Sequence, residues 1–179
     1  MRLAALDLET TGLNPQTDQI LQIAVVAFDP DDPTVPVNEL PYFYTDVRHA
    51  RYEGDAYALQ MNAWLLKRIA ARGEEVPTVL DALFKLKSWM QTIEWGSKSS
   101  PHPVGFNVAA FDVAFIKANG FGDLFHYRPV ELGSLLSTHG FPTTSNRAVR
   151  DILRRDVKHD ALQDARDAVE LHRHWMVMR

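Results

Sequence analysis

The chain has 179 residues, no cysteine, 46% hydrophobic and 23% charged residues, and a net charge of −4. That length fits one domain over 1–179 with a core large enough to fold alone. The missing cysteine excludes disulfide frameworks, thiolate metal sites and cysteine nucleophiles. An acidic balance gives no global attraction to polyanions, so such a partner has to be held by metal or by a local basic patch. No apolar run approaches the roughly 18 residues that span a bilayer. Met1-Arg2 leads directly into a strand without a signal-peptide segment, so a cytoplasmic setting with no membrane partner is expected.

In chain order, Leu3 to Glu9 reads as a short apolar strand carrying Asp7 and Glu9, followed at once by the turn Thr10-Thr11-Gly12-Leu13. Gln19 to Phe28 is a second strand, with Ile20, Ile23, Val25 and Val26 in a β-branched run. Glu39 to Tyr44 is a third, which suggests an antiparallel meander. From Asp55 to Arg68 the apolar period becomes helical, with Leu59, Asn62, Ala63, Leu66 and Ile69 near one face. A second helix opens at Pro77-Thr78 and runs to Trp89 or Ile93, capped by Thr78 or Asp81. Gly96 to Pro103 reads as a surface loop. Val104 to Asn107 predicts a short strand and Ala110 to Asn119 a helix stopped by Gly120. Pro129 to Thr138 predicts another helix, Arg147 to Arg155 a basic one, and Asp160 to Trp175 the last. Three early strands, then helices and one late strand, predict an α/β layer architecture.

Strand geometry with period 2 points Asp7 and Glu9 to the same face. Two carboxylates that close repel each other, and a divalent cation removes the conflict; oxygen ligands suit Mg²⁺ or Mn²⁺. Asp112 lies at a helix start among Phe111, Val113 and Phe115, where a charge needs a partner. Asp160 suits the cap of the last helix. Asp164 and Asp167 follow at steps of four and seven, so the three can share a face. His159 stands on the turn before that helix, beside these carboxylates, and offers a base that titrates near neutral pH. The run Arg147, Arg150, Arg154, Arg155 and Lys158 is a basic patch diluted by Asp151 and Asp156, so it reads first as a solvated helix face with ion pairs and second as a contact for the phosphates of an incoming strand.

Asp7-Leu8-Glu9 with Thr-Gly-Leu after it, Asn107 with Phe111-Asp112, and His159 five residues before Asp164 occur in one order along the chain. This set resembles the DnaQ-like 3′→5′ exonuclease superfamily of DEDDh type. The resemblance implies an RNase H-like three-layer fold, with a mixed central sheet whose first three strands are antiparallel, flanked by helices. It further implies two Mg²⁺ or Mn²⁺ ions held by Asp7, Glu9, Asp112 and Asp164, with His159 as general base. By the same resemblance Thr10, Thr11, Gly12 and Leu13 cradle the terminal nucleotide and Asn107 orients the backbone beside the site. Met61 falls near a base-contacting helix of such enzymes, although the local pattern here departs from their usual His-Gly. The expected activity is removal of nucleoside 5′-monophosphates from the 3′ end of single-stranded nucleic acid, DNA slightly favoured over RNA. The alternatives are RNA trimming of the oligoribonuclease or ribonuclease T kind, a different metal phosphohydrolase on the same fold, and a non-catalytic module that docks on a polymerase or other replication or repair partner.

Overall fold

Residues Leu3–Thr10 form the central strand, β1, because nearly every side chain in the run finds a buried place. β2 (Ile20–Phe28) is buried along its whole length and pairs antiparallel with β1, from Leu3 opposite Phe28 to Glu9 opposite Gln22. A bulge at Glu9/Thr10 then shifts the register. β3 (Tyr42–Asp46) pairs antiparallel with β2. On the other side of β1 the pairing is parallel: β4 (His102–Gly105) meets only Leu3 to Ala5, and β5 (Val130–Glu131) pairs parallel with β4 at the sheet edge. The sheet order is β3-β2-β1-β4-β5. The computed structural model describes residues 2–93 and 100–178.

The helices are α1 (Ala56–Met61), α2 (Ala63–Arg72), α3 (Val79–Thr92), α4 (Asp112–Ala118), α5 (Leu132–Ser137), α6 (Ser145–Ala148) and α7 (Ala161–Val177). Alternation along the strands sends side chains to two covered faces. Ala4, Leu6, Leu8, Ile23 and Val25 pack under α3 and α4 with Leu83, Leu86, Phe115 and Ile116. Leu3, Ala5, Ala24 and Val26 pack under α5 and α7. Helix α7 meets that face through Ala161, Ala165 and Ala168, small residues at steps of four and three that let the helix lie close to the sheet. Asp7 and Glu9 share the parity of Leu3 and Ala5, so they point to the α7 side, where the crevice opens. Among the described residues no helix is long and apolar enough to cross a membrane.

Several boundaries differ from the sequence reading. The third strand is displaced to Tyr42–Asp46, and Val37–Glu39 is a 3-10 turn instead. The Asp55 to Arg68 helix is two helices, split at Asn62, with Asp55 as the cap of the first. Thr78, not Asp81, caps α3, accepting the Asp81 N–H at 3.3 Å. The segment from Pro129 begins as β5 before turning helical; two residues are too few to carry a period. The basic helix is one α-turn running into a π-helical stretch, Val149–Leu153, ended by Arg154 in the left-handed region at φ 59°. Of the expected loop Gly96 to Pro103, residues 96–99 lie outside the described residues, and His102 and Pro103 belong to β4.

Candidate active site

The turn after β1 is built to stay fixed. Thr11 is fully buried: its N–H donates to the Gln19 carbonyl at 2.9 Å, its Oγ1 accepts the Gln19 N–H at 2.9 Å, and its carbonyl accepts the Asp55 N–H at 2.7 Å. The Thr10 hydroxyl donates to the Gly12 carbonyl at 2.6 Å. A Cβ on Gly12 would lie 2.3 Å from the Asp18 carboxylate, which caps the Asn14 N–H, so a larger residue here would displace that cap. Leu13 follows with 83% of its surface exposed, at the lip of the turn.

Below this turn lies a cavity of about 590 Å³, lined by Asp7, Glu9, Thr10, Gly12, Leu13, Met61, Asp112, His159 and Asp164 among others. Thus the five residues expected to carry the chemistry meet in one place, and four of the six expected to hold substrate do so too. Thr11 and Asn107 are outside the lining. Thr11 braces the turn. Asn107, left-handed at φ 55°, turns the chain from β4 toward α4, and its carbonyl accepts the Phe111 N–H at 2.9 Å.

Each acid arrives by a different route. Asp7 and Glu9 come from β1. Asp112 opens α4 and its Oδ1 accepts the Leu8 N–H at 2.9 Å, beyond the last β1–β4 pair at Ala5 and Val104. A helix-terminal carboxylate therefore does what a longer β4 would do, and the sheet forks there. Asp164 lies in the first turn of α7, whose cap Asp160 accepts the Gln163 N–H at 3.2 Å. His159 precedes the cap in the left-handed region, φ 51°, which turns its ring back over the cavity. One ligand atom each of Glu9, His159 and Asp164 lie within 4.8 Å of one another.

The electrostatics follow from this crowding. Burial, and then the charges of Asp112, Asp164, Glu9 and Asp160, push the Asp7 carboxyl well above its usual range. Asp112 is raised chiefly by burial, against the pull of its backbone hydrogen bonds. Glu9 is pushed up to about 7 by burial, opposed by a hydrogen bond from Asn62. Asp164 is likewise pushed up to about 7 by burial and by its acidic neighbours, Glu9 first. Asp164 Oδ1 is buried with no hydrogen-bond partner. A cluster that raises its own proton affinity and leaves an oxygen unpaired has the donor chemistry of a hard-cation site.

One contact of the site escaped the sequence reading. Asn62 is fully buried and its Nδ2 donates to the Thr10 carbonyl at 3.2 Å, which ties the α1–α2 junction to the turn. Its signal was a polar residue on an otherwise apolar helical face. Arg155 of the basic run forms ion pairs with Asp167 and Glu170 of α7, in keeping with the ion-paired reading of that run.

A family model described as the 3′-5′ exoribonuclease Rv2179c-like domain matches residues 2–176. The chain is 27% identical over 180 residues to an oligoribonuclease of Dichelobacter nodosus, covering 97% of this chain and 92% of that protein. It is 28% identical over 174 residues to an oligoribonuclease of Haemophilus ducreyi, covering 92% and 87%. Among solved structures it resembles cell-death related nuclease 4, with a TM-score of 0.66 and 14% identity over 99% of this chain and 64% of that one. It also resembles a full-length 3′-exonuclease, with a TM-score of 0.68 and 14% identity over 99% and 60%. The chain spans less than two thirds of both, and at that identity the likeness is one of fold: the mixed five-stranded sheet between helices is the RNase H-like architecture.

Proposed function

This chain belongs to the Rv2179c-like family of 3′-5′ exoribonuclease domains and is a 3′-5′ exonuclease acting on nucleic acid, and on that premise we propose that its substrate is short single-stranded RNA, trimmed to nucleoside 5′-monophosphates. The observation that carries the proposal is the convergence of Asp7, Glu9, Asp112, Asp164 and His159 in one cavity. Its volume, about 590 Å³, is within the range of about 300–1,000 Å³ typical of small-ligand sites. A terminal nucleotide is of a size to enter such a space.

In this reading the four carboxylates hold two divalent cations, Mg²⁺ or Mn²⁺. Bound there, the ions supply charge stabilisation to the phosphoryl oxygens during an in-line displacement. His159 takes the proton of the attacking water as general base. The bond from phosphorus to the penultimate 3′ oxygen breaks, which leaves a new 3′-hydroxyl on the shortened strand and a free 5′-monophosphate. Exposed Leu13 and the Met61 side chain offer apolar contacts to bases, and the fixed Thr10–Gly12 backbone faces the terminal sugar. RNA replaces the slight lean to DNA because the family is described by exoribonuclease activity and the similar curated proteins are oligoribonucleases. The match over nearly the whole chain supports a single exonuclease domain, and the reading invokes no polymerase partner.

The test uses 5′-labelled single-stranded RNA and DNA of equal sequence, from dinucleotide upward, with Mg²⁺, Mn²⁺ or EDTA. A ladder receding from the 3′ end, faster on short RNA and abolished by EDTA, is expected. Faster cleavage of DNA overturns the sugar assignment, and no cleavage of either strand overturns the whole reading.

A further inference from the structure

β2 contains one polar residue that has no role in the reaction as described. Gln22 is fully buried in a strand otherwise made of Ile, Leu, Ala, Val and Phe. Burying an amide costs free energy unless its donors and acceptor are all used, and here they are. Its Nε2 donates to the Tyr44 hydroxyl at 2.9 Å and to Asp46 Oδ1 at 3.0 Å. Its Oε1 accepts the Ala161 N–H at 2.8 Å. The orientation of the amide is fixed by chemistry, since a backbone N–H only donates and the Asp46 carboxylate, paired with Arg68 and Arg72, only accepts.

Both ends of this arrangement matter. Gln22 is the direct ladder partner of Glu9, so the two side chains stand on the same face of the sheet. Ala161 is the first residue of α7, and its N–H is one of the donors that a helix start leaves without an intrahelical partner. The capping carboxylate of Asp160 serves Gln163 instead. The Tyr44 hydroxyl, which accepts from Gln22 and from Arg68 at 2.8 Å, has its one proton left for Asp160 Oδ2 at 3.3 Å. A continuous chain of hydrogen bonds thus runs from Arg68 on α2, through Tyr44 and Asp46 on β3 and Gln22 on β2, to the two residues that follow His159. An apolar side chain would fill this space, but it would leave the start of α7 free to slide along the sheet.

We propose that Gln22 is a positioning residue, which fixes the start of α7 against β2 and so sets His159 and Asp164 at their working distance from Glu9. The proposal deepens the exonuclease reading and rests on it for its kinetic consequence. Gln22 touches neither substrate nor reacting atoms in this role.

Gln22→Met keeps the length of the side chain and removes both polar ends. On short single-stranded RNA with Mg²⁺ or Mn²⁺, kcat is expected to fall about 10- to 100-fold while KM moves less than about threefold. In the same protein without substrate or metal, amide hydrogen exchange at Ala161 becomes faster. Tyr44→Phe deletes one hydroxyl from a half-buried position and reads the same chain more gently. Its kcat falls less, and it decides the matter if Gln22→Met does not fold. Unchanged kcat in the folded variants, or unchanged Ala161 exchange in Gln22→Met, overturns the proposal. If the wild-type protein cleaves neither RNA nor DNA, the exonuclease reading fails separately; Ala161 exchange and Mn²⁺ affinity by calorimetry then still report whether Gln22 holds the helix start.

Discussion

The two faces of the sheet are made by alternate residues of the same strands, yet they are built on opposite principles. Under α3 and α4, Leu6, Leu8, Ile23 and Val25 meet Leu83, Leu86, Phe115 and Ile116, and nothing ionised intervenes along the strands. Under α7 the strands present Asp7, Glu9, Gln22, Tyr44 and Asp46 beside Ala24 and Val26. The first face stabilises by burial of apolar area and has no directional demand. The second sets polar and charged groups at fixed angles, and its acids oppose one another. The lesson is a division of labour at single-residue spacing: stability is collected on Leu6 and Leu8, the residues that flank the acids, so that Asp7 and Glu9, two residues apart, can be held in conflict.

The sharpest way to break this comparison is Asp7→Asn. Exonuclease activity is expected to fall below detection, while the metal-free protein at pH 8 melts at a higher temperature than wild type because one buried charge is gone. Labelled-strand cleavage and a thermal melt check the two halves. A variant that is both inactive and less stable would show that the acids support the fold. Next in size, His159→Ala lowers kcat about 10²- to 10⁴-fold, with Mn²⁺ affinity by calorimetry far less affected. On the other face, Leu6→Ala costs about 2–5 kcal/mol of stability, read by urea unfolding, and leaves the kcat of folded molecules as it was.

The pH dependence is smaller and follows from the raised carboxyls. Glu9 and Asp164 titrate at about 7 in the folded chain and at about 4 when unfolded. The folded state holds their protons more tightly, so their contribution is complete below pH of about 4 and is lost as pH rises through about 7. Metal-free melting temperature is expected to decline across that window, and added Mn²⁺ is expected to restore it by binding the folded state. The smallest effect is that of Leu13→Ser at the exposed lip: KM for short RNA rises a few-fold, about 1 kcal/mol of lost contact, with stability unchanged.

Much of the site was legible because its spacing is written in the backbone. Period 2 put Asp7 and Glu9 on one face, and a helix start placed Asp164 a turn after Asp160. The convergence of β1, α4 and α7 was not legible from period alone; it depends on a pairing between β1 and β4 that stops at Ala5 and Val104. The long-range partners of Asn62 and Gln22 were not legible for a related reason. Each is one amide in an apolar run, and its partners lie up to 139 residues away. The ion pairing expected of the basic run holds for Arg155, although its acids, Asp167 and Glu170, lie on α7 and not within the run itself.

Asn107, Arg154 and His159 are the non-glycine residues with left-handed backbones among the described residues, and all three lie on segments that enter or lead to the cavity. Each such position costs about 1–2 kcal/mol for an ordinary side chain, less for asparagine. Evolution toward stability alone would therefore favour glycine or asparagine at 154 and 159, and only position 107 already obliges. A library screened for heat resistance would tend to discard the imidazole at 159 that a library screened for turnover has to keep.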